Sequence, residues 1–299
     1  MSEKDLKKTE SSSTGTEKNG AEEKPKKKKK KTSPVTILLM LVCVAIFCYA
    51  GYQLASIYLE YGEAESEYEE LAVSYQIPEA EDETEESVEA DPVKMDPLEW
   101  PSYAVDLDTL QNLNSDIIGW ICMPGTNVNY PIVRAEDNNY YLRRTIRGTY
   151  NKSGSIFMDC ANKPEFTDLN TIIYGHNMKN GSMFGSFKKF YQEEGFPEEH
   201  PYFYIYTPDK KWNKYMIFSC YHTQSDSSSY DYVTEDMYVD YVEKALKNSL
   251  FDFGVEVDTE NKKTVVTLST CSGKSGGTQR FLIHGVWVDE KITDDSLLK

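Results

Sequence analysis

Histidine is scarce in this chain, with four residues in 299, and neither Cys-x-x-Cys nor a clustered Cys/His pattern occurs, so no zinc site is expected. Cysteine is sparse too. Of six, Cys43 and Cys48 fall inside an apolar run, which leaves Cys122, Cys160, Cys220 and Cys271 for any folded domain. Their spacing matches no small disulfide framework, and the segment that holds them is long enough to build its own core, so structural disulfides are not expected either. Positive charge is in deficit. With 32 Lys and Arg against 49 Asp and Glu the net charge is −17, which speaks against a nucleic-acid partner, because phosphate neutralisation needs a basic face.

The charge is unevenly placed. Residues 1–33 carry eleven Lys against six acids, a net of +5, and residues 58–100 carry sixteen acids against one Lys, a net of −15. A basic tail and an acidic stretch with few large apolar residues cannot bury enough surface to offset the entropy of ordering. Both are expected to lack fixed structure. Between them, Val35 to Ile57 is a run of 23 residues without a charge, long enough as a helix to span a bilayer core and too long for a cleavable signal peptide. The cluster Lys26 to Lys31 before it and the acids after it place the N-terminus in the cytoplasm. The expected order is a basic cytoplasmic tail (1–33), a single membrane anchor (34–58), a largely disordered acidic extracellular stalk (59–95) and an extracellular domain (96–299).

Within that domain Leu107, Leu110 and Leu113 share a face at helical spacing. Short apolar runs follow at 117–122, 128–133, 155–159 and 171–174. Two strand pairs come next: 203–207 with 214–221, joined through Pro208-Asp-Lys-Lys, and 263–271 with 280–288. Many short strands with turn signals between them point to an all-β barrel or sandwich. One helix interrupts them at 234–250, with Thr234 as its cap and Tyr238, Tyr241, Val242, Ala245 and Leu246 on one face.

Cys271 ends a β-branched strand and is followed at once by Ser-Gly-Lys-Ser-Gly-Gly, which exposes it at a rim where a nucleophile is useful. Cys160 and Cys220 also lie near strand ends, so position alone does not single it out. A reactive thiolate needs a basic or cationic neighbour. His176 stands in Tyr174-Gly-His-Asn-Met, just past a strand. His200 precedes Pro201 in an acidic loop and reads as a surface residue, His222 is open to either reading, and His284 shares a strand face with Val286 and Val288 and reads as packed. Arg280 opens the strand after the Cys271 loop, so antiparallel pairing puts it at the same rim. There its permanent charge can meet a developing oxyanion; the alternative is an ordinary surface Arg. Gly273-Lys274-Ser275 is not a phosphate loop, since Leu268 stands where that motif needs Gly, and the papain-type surround of a catalytic Cys is missing.

Thr267-Leu-Ser-Thr-Cys271 resembles the sortase motif Thr-Leu-x-Thr-Cys. Arg280 on the next strand, Tyr174-Gly-His-Asn-Met with Ser182-Met-Phe-Gly, Gly119-Trp-Ile and Val128-Asn-Tyr-Pro-Ile-Val extend the resemblance over about 100–290, in the family's order. The helix at 234–250 makes it similar to class B sortases rather than class A. The resemblance implies a closed eight-stranded β-barrel and a two-step acyl transfer at a cell membrane of Gram-positive type. Cys271 is the implied nucleophile, His176 the acid and base, and Arg280 the oxyanion partner. Asn177, Ser182, Ser269 and Thr270 become candidate substrate contacts. The implied partners are secreted proteins with a C-terminal pentapeptide of the Asn-Pro-x-Thr-Asn/Gly/Ser kind and an amine of a peptidoglycan precursor or a pilin Lys. No cofactor or metal is implied. A hydrolytic cysteine peptidase with the same residues, and a non-catalytic wall-binding module, are the alternatives.

Overall fold

The computed structural model describes residues 33–79, 95–273 and 276–293; the expectations for residues 1–32 and 80–94 lie outside them. Two compact units divide between Tyr52 and Gln53. The first holds the start of helix α1 (Pro34–Tyr75), whose apolar stretch is long and apolar enough to cross a membrane.

In the second unit the expected stalk is corrected. Instead of an unstructured segment from residue 59, α1 runs on to Tyr75, and β1 (Gln76–Pro78) pairs antiparallel with β2 (Tyr103–Val105). Ala64, Tyr68 and Leu71 are buried, with Tyr61, Ala72 and Tyr75 packed beside them. These residues recur every three or four positions, so one stripe of the helix is apolar while most of the acids face water. The amide of Asp106 bonds to the Tyr75 carbonyl, and Asp106 caps α2 (Leu107–Leu113) by accepting from the Thr109 amide at 3.0 Å.

The remaining strands close into a barrel. They are β3 (Ile117–Met123), β4 (Val128–Val133), β5 (Ile156–Met158), β6 (Asn170–Tyr174), β7 (Tyr202–Thr207), β8 (Lys211–Gln224), β9 (Val265–Cys271) and β10 (Gln279–Ile292). Their order is β10-β8-β7-β3-β4-β5-β6-β9, with β9 returning to β10, which bears out the closed eight-stranded expectation. Two neighbours are parallel, β4 with β5 and β6 with β9. Short helices α3 (Lys189–Gln192) and α4 (Phe196–Glu199) lie between β6 and β7.

The expected helix at 234–250 is shorter, α5 (Tyr238–Asn248), and Thr234 does not cap it. Tyr238, Tyr241, Val242 and Ala245 pack on Phe218, Tyr221, Val265, Leu282 and Val286, whereas Leu246 lies at the edge of the stripe and is 40% exposed. This outer cluster fixes the facing of β9 and β10. Val265 and Leu282 point outward to α5, and Val266, Leu268, Phe281 and Ile283 point into the main core. His284 is fully buried, as read from the sequence. Val288 is not, because an irregularity between Trp287 and Asp289 breaks the alternation.

Candidate active site

Strand β9 is flanked by β6 running parallel and β10 running antiparallel, so three chain ends meet at one rim. Arg280 pairs directly with Cys271 across β9 and β10. On the other side Tyr174 pairs with Ser269, and the Gly175 amide continues the ladder to the Ser269 carbonyl at 3.1 Å. Two residues further along both parallel chains stand His176 and Cys271. Neighbouring strands lie about 4.8 Å apart, and the imidazole and the thiol line the same cleft. By alternation Cys271 and Arg280 both face outward.

Gly175 lets the chain leave β6 at this point: a Cβ there would come within 2.6 Å of Ile156 Cδ1 and of the Phe184 ring. The exit is then pinned. The Asn177 side-chain Nδ2 donates to the Cys271 carbonyl at 2.6 Å, and the Phe184 backbone amide donates to the His176 carbonyl at 3.0 Å. The imidazole Nε2 lies 2.7 Å from the Leu142 carbonyl. A carbonyl only accepts, so Nε2 carries the hydrogen, which leaves Nδ1 as the atom that can take up and release a proton. Burial pushes the His176 pKa down, and the cations Arg143 and Arg280 add to this against the smaller opposing pull of the Leu142 carbonyl. The Arg280 Nη1 donates to the carbonyls of Gly277 at 2.8 Å and Gln279 at 3.0 Å.

Cys271, His176 and Arg280 line one cleft of about 280 Å³ together with Ser269 and Thr270. Asn177 lies beside it through its bond to Cys271. Ser182 is not brought in: its hydroxyl donates to Asn180 Oδ1 at 2.8 Å within a turn, and it is buried. Sequence reasoning missed the rest of the wall, which is Asn138, Leu142, Phe157, Tyr174, Ser225 and Tyr230. The Tyr174 and Tyr230 rings stack at 6.2 Å and 11°. Tyr174 donates to Asp159 at 2.7 Å, and the Tyr230 and Ser269 hydroxyls are 2.7 Å apart. The Thr270 hydroxyl is buried without a partner among the described residues.

The other candidates do not line this cleft. Cys122 and Cys220 are enclosed, and burial pushes their thiols up to about 12, far from the reactive thiolate, while Cys271 remains partly exposed. His222 packs edge-on against Tyr191. His200 is half-buried on the Phe196 ring rather than free at the surface. His284 is held by Tyr241 and Thr267. Larger hollows of about 770 Å³ at Trp287 and about 660 Å³ at His222 contain no cysteine. Among the described residues no three His, Cys, Asp or Glu side chains converge as a metal site would need.

A thiol, an imidazole and a guanidinium on one cleft are groups that acyl transfer can use. Residues 121–288 match the Sortase domain. Sortase B of Listeria monocytogenes is 37% identical over 185 residues, which cover 60% of this chain and 73% of that protein. The crystal structure of sortase B from Bacillus anthracis in complex with AAEK1 aligns with a TM-score of 0.62 and 33% identity, covering 78% of this chain and 100% of that one. A Staphylococcus aureus sortase B–substrate complex aligns at 0.56 and 27% identity, covering 61% and 84%. The barrel, the strand-end cleft and these likenesses lead to one conclusion: the chain belongs to the sortase family, in its class B.

Proposed function

We propose that the chain is a membrane-anchored cysteine transpeptidase that cuts a C-terminal sorting signal after Thr and passes the acyl group to an amine. The observation that carries this reading is the cross-strand pair Cys271–Arg280 with His176 on the same cleft, two residues past the parallel pair Tyr174–Ser269. In the first step Cys271 sulfur attacks the Thr carbonyl carbon and the C–N bond breaks. The thiol proton reaches the departing amine through His176 Nδ1. Arg280 leaves the Gly277 carbonyl to bond the oxyanion, a role its permanent charge suits. In the second step an acceptor amine attacks the thioester, His176 takes the proton that the amine loses, the S–C bond breaks, and His176 passes that proton to sulfur. The acceptor is a peptidoglycan precursor amine or a pilin Lys, and a pentapeptide of the Asn-Pro-x-Thr-Asn/Gly/Ser kind is the donor. The apolar part of α1 supplies the anchor, with the N-terminus in the cytoplasm and the barrel outside.

The test uses the full chain in detergent, a panel of quenched peptides of that kind, and mass spectrometry. The expected result is cleavage after Thr with a thioacyl adduct on Cys271 that is consumed on adding an amine and absent in Cys271→Ala. Cleavage that releases only the free acid with every amine tried would reassign the chain to hydrolysis. No adduct with any peptide on the folded chain would sink the enzyme reading.

A further inference from the structure

The imidazole of His176 is oriented by one backbone carbonyl, that of Leu142, so whatever fixes Leu142 fixes the proton-shuttling atom. Leu142 lies in the turn Tyr141–Arg143, far from His176 in sequence. Gly154 packs against it: a Cβ on Gly154, whose φ is +59°, would stand 2.7 Å from both the Leu142 and the Tyr141 carbonyl oxygens. The Ser155 amide donates to the Tyr141 carbonyl at 3.1 Å, and the Ser155 hydroxyl donates to the Arg144 carbonyl at 2.8 Å. Residues 154–155 are thus the floor under the turn.

That floor is held from α1. The Tyr68 hydroxyl donates to the Gly154 carbonyl at 2.9 Å and lies 3.0 Å from the Ser155 hydroxyl. Tyr68 is 2% exposed, so water does not compete for the bond. Its ring also meets the Tyr130 ring edge-on at 5.3 Å, and the Tyr130 hydroxyl accepts from the Met183 amide at 3.1 Å. The next residue, Phe184, bonds the His176 carbonyl. One side chain therefore supports both the imidazole and the backbone of His176. The helix is clamped to this same loop by Glu60, whose carbonyl and carboxylate bond Asn151 and Lys152 at 2.9 and 2.7 Å.

We propose that Tyr68 is a positioning residue for His176, acting through the backbone of Gly154 and Leu142. This rests on the reading of His176 as acid and base. Helix α1 is then a part of the active site's support as well as a link to the membrane.

The experiment compares the full chain in detergent micelles with Tyr68→Phe and, as a matched loss of a buried hydroxyl elsewhere, Tyr238→Phe, whose hydroxyl bonds the Lys263 carbonyl at 2.6 Å. Histidine-labelled ¹⁵N spectra read the tautomer, with the His176 signal assigned by its loss in His176→Gln. Expected for Tyr68→Phe are a mixed His176 tautomer, a kcat on an Asn-Pro-x-Thr-Asn peptide lower by about tenfold, in line with one lost buried hydrogen bond, and KM within about twofold. Tyr238→Phe is expected to keep the parent tautomer and kcat. A parent-like tautomer and kcat in Tyr68→Phe overturn the proposal, and so does an equal fall of kcat in both variants that tracks their melting temperatures. If the parent chain forms no thioacyl adduct, the acid–base reading fails instead, while the tautomer comparison still decides what Tyr68 does.

Discussion

Arg280 and Cys271 are a non-local pair made local by the sheet: nine positions apart in sequence, they occupy opposite places on adjacent antiparallel strands. The loop between them can vary without moving either, because β8 and β6 hold the outer edges of the pair. Removing the guanidinium should therefore cost catalysis and not folding. For Arg280→Ala the expected loss in kcat/KM is roughly 100- to 1000-fold, the range for a single oxyanion donor. Arg280→Lys should fall between, since a point charge cannot reproduce the fork. Steady-state kinetics with a melting curve for each variant decides it, and activity within tenfold of the parent in Arg280→Ala would remove Arg280 from the mechanism.

Asn177 ties the His176 segment to the Cys271 carbonyl with a 2.6 Å bond. Asn177→Ala deletes that tie while leaving all three reacting groups in place. A fall of kcat of about tenfold is expected, with little change in melting temperature, because the residue is exposed and the bond is worth on the order of 1 kcal/mol. The rate of Cys271 alkylation should change in parallel. An unchanged rate would show that the strand end holds its place without the amide.

Acid should destabilise the fold. Burial pushes the His284 pKa down from 6.5 to about 3, and His176, His200 and His222 are shifted in the same direction. Between these pH limits the unfolded chain binds a proton at His284 that the folded chain refuses. Its contribution is therefore full above pH 6.5 and is lost as the pH falls below it. From pH 6.5 to 5 His284 alone should withdraw about 2 kcal/mol, at about 1.4 kcal/mol per unit. Melting curves across this range should show a clear decline that shrinks in His284→Gln. A His284→Gln profile as steep as the parent's would place the acid sensitivity elsewhere.

Leu71 is fully buried where α1 meets the barrel unit. Leu71→Ala should destabilise by about 2–5 kcal/mol through lost burial and the cavity left behind. A fragment beginning at residue 96 should be less stable still than one beginning at residue 53, since it lacks the packed stripe and β1. Denaturant unfolding of the two fragments checks this, and equal midpoints would mean that α1 only rests on the surface.

The barrel and the shared cleft of Cys271, His176 and Arg280 were readable because their signals are local. Apolar β-branched runs mark the strands, Cys271 and Arg280 sit at either end of one loop, and Gly175 announces the exit that carries His176. The helical stripe through Ala64, Tyr68 and Leu71 was hidden for the opposite reason. Six acids between Glu60 and Glu70 dominate the composition, and only the three- and four-residue spacing of the apolar positions shows that most of them line the wet side. Leu142 was invisible because its part is played by a backbone carbonyl, which no side-chain motif records. Asn138 and Tyr230 reach the cleft from loops distant in sequence, where periodicity says nothing. Thr234 was misplaced as a cap because helix ends are set by where the buried face begins, here Tyr238.

The alternation along β9 separates two tasks on one strand. Val266, Leu268 and Thr270 point inward, whereas Val265, Thr267, Ser269 and Cys271 point outward, to α5 and the cleft. The inward set packs the core; of the outward set, Val265 and Thr267 meet α5, and Ser269 and Cys271 line the cleft. A designer, or evolution, can therefore rewrite what the cleft accepts at Ser269 and along the α5-bearing loop without repacking the barrel.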